Sequence, residues 1–206
     1  DLLNSIAIFA DKFKMQAPEI NEKNVLKLIK ARHPLLLYSA VQKNRIKDVV
    51  PIDVHIGEDK GVMVITGPNA GGKTVTIKSI GLLSVMALSG MPVPADSSST
   101  IPLFHNLLVD IGDRQSIADN LSTFTAHLSN LMDFLNKADF HTLVLIDELG
   151  TGTDPEEGAA LSCAILKELK AKGSLIFATT HLTDIKVFAH KTEGMVNASM
   201  EIDHKT

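Results

Sequence analysis

The chain has 206 residues, 45% hydrophobic and 21% charged, enough for one sizeable core in a globular domain. Its net charge of -4 and pI near 6.1 argue against the domain alone gripping a nucleic-acid backbone, which calls for a basic surface. The single cysteine excludes a disulfide framework and fits a reducing, cytoplasmic compartment, and no apolar run approaches the roughly 20 residues needed to cross a bilayer.

In chain order, Leu2, Leu3, Ile6, Phe9, Ala10 and Phe13 recur at helical spacing and read as the tail of a longer helix, ended by Pro18. The chain is therefore expected to be a fragment, with residues 1–20 as the end of a connector helix. Val25 to Ile29 predicts a short strand leading to Arg32-His33-Pro34, where a histidine before proline reads as a turn. Lys47 to Ile56 alternates apolar and polar residues, and Gly57-Glu58-Asp59-Lys60-Gly61 supplies a turn, so a hairpin into the next strand is expected. Val49 and Val50 read either as core valines or as an apolar support for a nucleotide base.

The segment Val62 to Thr66 empties into Gly67-Pro68-Asn69-Ala70-Gly71-Gly72-Lys73-Thr74-Val75. This is the order of a buried strand, a phosphate loop and a helix start: small residues let successive backbone N–H groups close around phosphate oxygens. Lys73 is expected to reach the β and γ phosphates, and Thr74 to offer its hydroxyl to Mg²⁺. The helix that begins there points its positive end at the anion.

Helical spacing continues through Ile77, Ile80, Leu83 and Ala87, with Gly90 and Pro92 as stops. Pro94 to Thr100 reads as a polar, mobile loop, and Leu103 to Asp110 as a strand. Gln115, beyond that strand's end, is the candidate for holding the attacking or metal-bound water. Phe124, Leu128, Leu131 and Leu135 share a helical face, for which Ser122 or Thr123 is a natural N-cap.

Thr142 to Ile146 is an all-apolar strand that delivers Asp147 and Glu148 to its C-terminal end, the edge where parallel sheets place ligands. In phosphoryl transfer the first acid helps hold Mg²⁺ and the second can orient or deprotonate the attacking water. Leu149 to Thr153 reads as a flexible link, after which Asp154 caps a helix with Pro155 in its first turn and runs to Gly173. Cys163 falls inside that helix's apolar pattern and reads as a buried structural thiol rather than a reactive one. Ser174 to Ala178 is another buried strand, ending near His181, which reads either as a γ-phosphate contact level with Asp147 and Lys73 or as a cap for the next helix. Strand and helix alternate after Gly61, predicting an α/β fold: a mainly parallel P-loop sheet (62–206) flanked by helices, preceded by a small antiparallel β portion (21–61).

Taken together, Arg32-His33-Pro34, Gly67 to Thr74, Ser122-Thr123-Phe124 and Asp147-Glu148-Leu149-Gly150-Thr151-Gly152-Thr153 resemble the ATPase domain of the MutS family. Lys73-Thr74-Val75-Thr76, Asp110-Ile111-Gly112-Asp113 with Gln115-Ser116, and Gly152 to Ala160 bring the likeness closer to the type-two branch than to mismatch-repair MutS. The resemblance implies an ABC-like ATPase that binds ATP and Mg²⁺ and works as a homodimer. Each nucleotide would be sandwiched between the phosphate loop of one subunit and the signature helix of the other.

By the same likeness Glu148 is the catalytic glutamate, Asp147 the Walker-B acid, His181 the switch histidine and Gly150 to Thr153 a dimer-contact loop. Ser122 would gain a role in trans, facing the partner's ATP. Relatives with an aromatic base-stacking residue have it near Val49 or Val50, so adenine support departs from that pattern here. Type-two proteins carry a lever and clamp region and commonly a Smr-type nuclease domain; through such parts the family engages branched or mismatched DNA or collided ribosomes. Two other readings are a nucleotide-gated dimerisation module with little turnover, and a transporter or chromosome-structure ATPase. The latter families carry Leu-Ser-Gly-Gly where this chain has Leu121-Ser122-Thr123-Phe124.

Overall fold

A computed structural model describes residues 1–68, 71–112 and 120–200, with residues 120–124 described by backbone only. The elements run α1 (Leu2–Phe13), β1 (Glu19–Asn21), β2 (Leu26–Ala31), α2 (Pro34–Gln42), a 3-10 turn (Ile46–Asp48), β3 (Ile52–Ile56), β4 (Val62–Thr66) and α3 (Lys73–Leu88). They continue with β5 (Thr100–Pro102), β6 (Asn106–Asp110), α4 (Asn120–Lys137), β7 (Thr142–Ile146), α5 (Pro155–Ala171), β8 (Leu175–Thr179), α6 (Thr183–Lys191) and β9 (Met195–Ser199). Two compact units result, Asp1–Gly57 with Lys78–Leu103, and Glu58–Ile77 with Phe104–Ile202. This division differs from the sequence-based boundary at residue 61, because residues 78–103 cluster with the N-terminal β portion.

In the first unit α1 is capped by Asp1, whose side chain accepts from the Leu3 N–H at 3.1 Å. It ends at Lys14, in the left-handed region at φ 51°, and not at Pro18 as the sequence suggested. No residue of α1 is buried, and Leu2 and Leu3 stand 75% and 76% exposed. The sheet of this unit has the order β1-β5-β2-β3, with β2 antiparallel to both of its neighbours and β1 parallel to β5. Consequently β3 closes on β2, and the hairpin expected between 47 and 66 does not form: β4 belongs to the other sheet. The expected strand from Leu103 to Asp110 is shorter, β6 beginning at Asn106, and a separate strand, β5, precedes it in the other sheet. Helix α3 ends in a paired-carbonyl stop, with the Gly90 N–H on Ala87 O and the Met91 N–H on Met86 O, and Gly90 supplies the positive φ of 76° that this cap requires.

The second unit holds a sheet of order β6-β7-β8-β4-β9 in which every pairing is parallel. All five positions of β7 and of β8 are buried, as expected of strands covered on both faces. Val64, Val144, Ile146, Ile176, Leu166, Leu169 and Ile185 form one apolar cluster between this sheet and its helices. Each large side chain so buried contributes about 1.5–3 kcal/mol from removal of apolar surface from water. Asp154 caps α5 through the Glu156 and Glu157 N–H groups with Pro155 in the first turn, as its sequence predicts. Because the strands are parallel and in register, β4, β7 and β8 all deliver their following loops to one edge.

Candidate active site

At that edge the loop from β4 to α3 turns tightly. Gly67 sits at φ 135°, and a Cβ there would stand 2.7 Å from the Met200 carbonyl oxygen, so no larger residue fits. The Gly71 N–H donates to Pro68 O at 2.9 Å, and α3 starts at Lys73. Lys73 is 4% exposed, its ammonium donating to Gly67 O at 2.7 Å and to Pro68 O at 2.9 Å. The cation thus lies folded over the loop that the spacing assigned to phosphate. Val75, on the first turn of α3, is 41% exposed.

One helical step on, the Thr74 hydroxyl donates to Asp147 Oδ2 at 2.6 Å. The other carboxylate oxygen accepts from the Thr179 hydroxyl at 2.5 Å. Asp147 is buried, and its backbone N–H donates to Asp110 O at 2.9 Å across the ends of β7 and β6. The acid is therefore fixed by three elements, α3, β8 and β6.

Glu148 follows in the left-handed region at φ 54°, a conformation that costs a non-glycine residue about 1–3 kcal/mol. Its backbone is held there by a Glu148 N–H bond to Thr179 Oγ1 at 2.8 Å and by the Thr151 hydroxyl on its carbonyl at 2.8 Å. The side chain is turned out, 51% exposed, with Oε1 3.8 Å from His181 Nε2. His181 is not the cap of α6, a position taken by Leu182. The segment 149–153, read as a flexible link from its glycines, begins on a packed residue. Leu149 is fully buried, its N–H on Thr179 O at 2.8 Å, and the Thr180 hydroxyl donates to its carbonyl at 2.9 Å.

The structure thus brings Gly67, Pro68, Gly71, Gly72, Lys73, Thr74, Asp147, Glu148 and His181 into one unit, around the ends of β4, β7 and β8. Asn69, Ala70 and Gln115 lie outside the described residues. Ser122 and Thr123 fall inside α4, which is already helical at Asn120, so neither is its N-cap. Val49 and Val50 belong to the first unit, where Val49 O accepts from Arg32 Nε and Val50 is 67% exposed; neither is a core valine. Thr179 and Met200 are the site residues that sequence reasoning missed. Thr179 carries one faint signal, a hydroxyl at the end of an otherwise apolar strand.

The oxygens of Thr74 and Asp147 are hard donors of the kind that suits Mg²⁺, which keeps several waters and relies on one or two protein groups plus substrate phosphates. Among the described residues no cluster of three or more His, Cys, Asp or Glu forms a cage for a different metal. No helix among them is long and apolar enough to cross a membrane.

The sequence pattern of MutS domain V matches residues 63–206. The chain is 49% identical over all 206 residues to a protein named Endonuclease MutS2 from Caldicellulosiruptor saccharolyticus, of which it covers 25%. It is 47% identical, with the same coverage, to the protein of that name from Clostridium botulinum strain Okra. The chain therefore spans about a quarter of the length of these relatives. With a P-loop, an acidic strand end and a parallel sheet in the matched region, the chain belongs to the MutS family, as a P-loop domain V of its type-two branch.

Proposed function

We propose that this domain binds ATP with Mg²⁺, hydrolyses it to ADP and phosphate, and uses nucleotide-driven closure of two copies to control how the wider protein engages branched or mismatched DNA or ribosomes. The observation that carries the reading is the hydroxyl of Thr74 bound directly to the Asp147 carboxylate, with Glu148 and His181 beside them. Thr74 and Asp147 would hold the ion, which supplies charge neutralisation on the phosphates. Lys73 exchanges the Gly67 and Pro68 carbonyls for phosphate oxygens. Glu148, whose backbone is pinned while its carboxylate is half exposed beside His181, orients and deprotonates water; Gln115 is proposed to assist it, and His181 to contact the γ-phosphate.

Exposure of Glu148 and His181 supports completion of the site by a second copy, since phosphoryl transfer gains from excluding bulk water. Ser122, near the start of α4, is the proposed contact to the partner's nucleotide. The test is steady-state ATP turnover of the full-length protein against its Glu148→Gln variant. Turnover is expected to fall about 10²–10⁴-fold with ATP binding retained. Equal rates would remove Glu148 from this role.

A further inference from the structure

Behind the acid edge lies a buried pair that the proposed chemistry does not use. Asp110 ends β6 and is 6% exposed; His127, on α4, is 2% exposed; and the His127 ring bonds through Nδ1 to Asp110 Oδ2. The other oxygen, Oδ1, accepts from Asn130 Nδ2 at 3.4 Å, one turn further along the same helix. Asp110 is also the residue whose carbonyl accepts the Asp147 N–H. His127 meanwhile lines a small gap of about 10 Å³ with Gly150, Gly158, Ser162 and Ile165, against the loop that follows Glu148.

We propose that Asp110 and His127 form a latch that positions α4 against the strand ends carrying Asp147 and Glu148, so that the helix reaching a partner's nucleotide is set by the state of its own subunit's site. The proposal rests on the reading of Ser122 and dimer closure above. Apolar residues of the same shape would hold α4 against the sheet at least as firmly, because a buried ionisable pair barely repays its desolvation. What the pair adds is directionality. A carboxylate that takes a ring nitrogen from one turn and an amide from the next favours one rotation and register of the helix, a constraint that non-directional apolar contacts such as those of Leu131 do not impose. The chain of contacts is short: Thr74 hydroxyl, Asp147 carboxylate, Asp147 N–H, Asp110 carbonyl, Asp110 carboxylate, His127. Both act as positioning residues, through the bond from the Asp147 N–H to the Asp110 carbonyl.

The side chains of asparagine and glutamine separate the latch from simple filling. Asparagine places an amide nitrogen where Nδ1 of histidine stands, and glutamine places it where Nε2 stands. The full-length protein and its His127→Asn, His127→Gln and His127→Leu variants are compared for ATP affinity at concentrations that keep the protein monomeric, and for ATP-linked dimerisation by light scattering. Loss of a hydrogen bond to a charged group is expected to weaken ATP-linked dimerisation about tenfold or more in His127→Gln and His127→Leu, with ATP affinity of the monomer within about twofold of wild type. His127→Asn is expected to restore dimerisation to within about threefold. Should His127→Leu not fold, the Asn and Gln variants decide alone. Equal dimerisation of those two, or a parallel loss of monomer ATP affinity, overturns the latch. ATP binding by the wild type without any ATP-linked dimer is a separate result, which removes the closure reading and the latch with it.

Discussion

The Thr74 hydroxyl and the Asp147 carboxylate are already joined at 2.6 Å, with Thr179 holding the second carboxylate oxygen at 2.5 Å. Asp147 is thereby oriented by two hydroxyls from opposite sides, one from the phosphate-loop helix and one from the neighbouring strand. Replacing Asp147 by Asn keeps the shape and removes the charge. Mg²⁺-dependent ATP affinity is expected to fall about tenfold or more, read by calorimetry with and without the metal. Thr179→Val acts differently, since it strips a partner from both Asp147 and the Glu148 N–H. Unfolding in urea is expected to show a loss of about 1–3 kcal/mol, recovered in Thr179→Ser. A Thr179→Val protein of unchanged stability would contradict this assignment.

Much of this site is legible in the chain because its signals are local. Gly67 to Thr74 carries its own spacing, and Leu143 to Ile146 is so uniformly apolar that only a strand covered on both faces accommodates it. Asp154 and Pro155 announce a helix start for reasons confined to one turn. What escaped is set by partners distant in sequence. Alternation in Ile52 to Ile56 predicts a strand but cannot choose between β2 and β4 as its neighbour. Thr179 meets Asp147 across 32 positions, and a lone hydroxyl at a strand end has no spacing to announce it. Gly150 and Gly152 suggested looseness, yet the buried Leu149 between them and Glu148 ties the segment to β8.

The approach of α5 to the loop after Glu148 makes a further prediction. Gly158 has a carbonyl neighbour so close that an added Cβ would stand 2.3 Å from Gly150 O, a backbone atom that cannot swing aside. Gly150 itself sits at φ 87° with Leu182 Cδ1 2.7 Å from its would-be Cβ. Gly158→Ala is therefore expected to push the loop away, destabilising the domain by about 1–3 kcal/mol in thermal or urea unfolding. Because the displaced loop carries Glu148, turnover should fall further than the folded fraction alone accounts for. A variant with wild-type stability and turnover would show that the loop yields freely.

His33 offers a pH-dependent test in the first unit. Burial holds its ring below the ordinary histidine value, and the Lys78 charge lowers it further. Its Nδ1 is buried with no hydrogen-bond partner among the described residues. The folded protein therefore prefers the neutral ring more strongly than the unfolded chain does. This contribution is fully present above the ordinary value of about 6.5 and is lost as pH falls through the lower folded value. The thermal midpoint should decline between about pH 7 and pH 5 with a steeper slope in wild type than in His33→Gln. Parallel slopes would assign the acid sensitivity to other groups.

Cys163 is a probe that separates burial from charge. Burial pushes its thiol up from the ordinary range, and the Asp184 carboxylate across the α5 to α6 contact adds a smaller push in the same direction. Since only the thiolate attacks a disulfide reagent, the native protein should react slowly at pH 8 and accelerate as the pH is raised. Unfolding in urea removes both causes and should raise the rate by about an order of magnitude or more. Asp184→Asn removes only the charge. With burial the larger cause, that variant should react faster than wild type by less than about threefold, a change well below one pKa step. If Asp184→Asn matched the unfolded rate while remaining folded, charge and not desolvation would govern this thiol, and the half-buried position of Cys163 on α5 would have little hold on its chemistry.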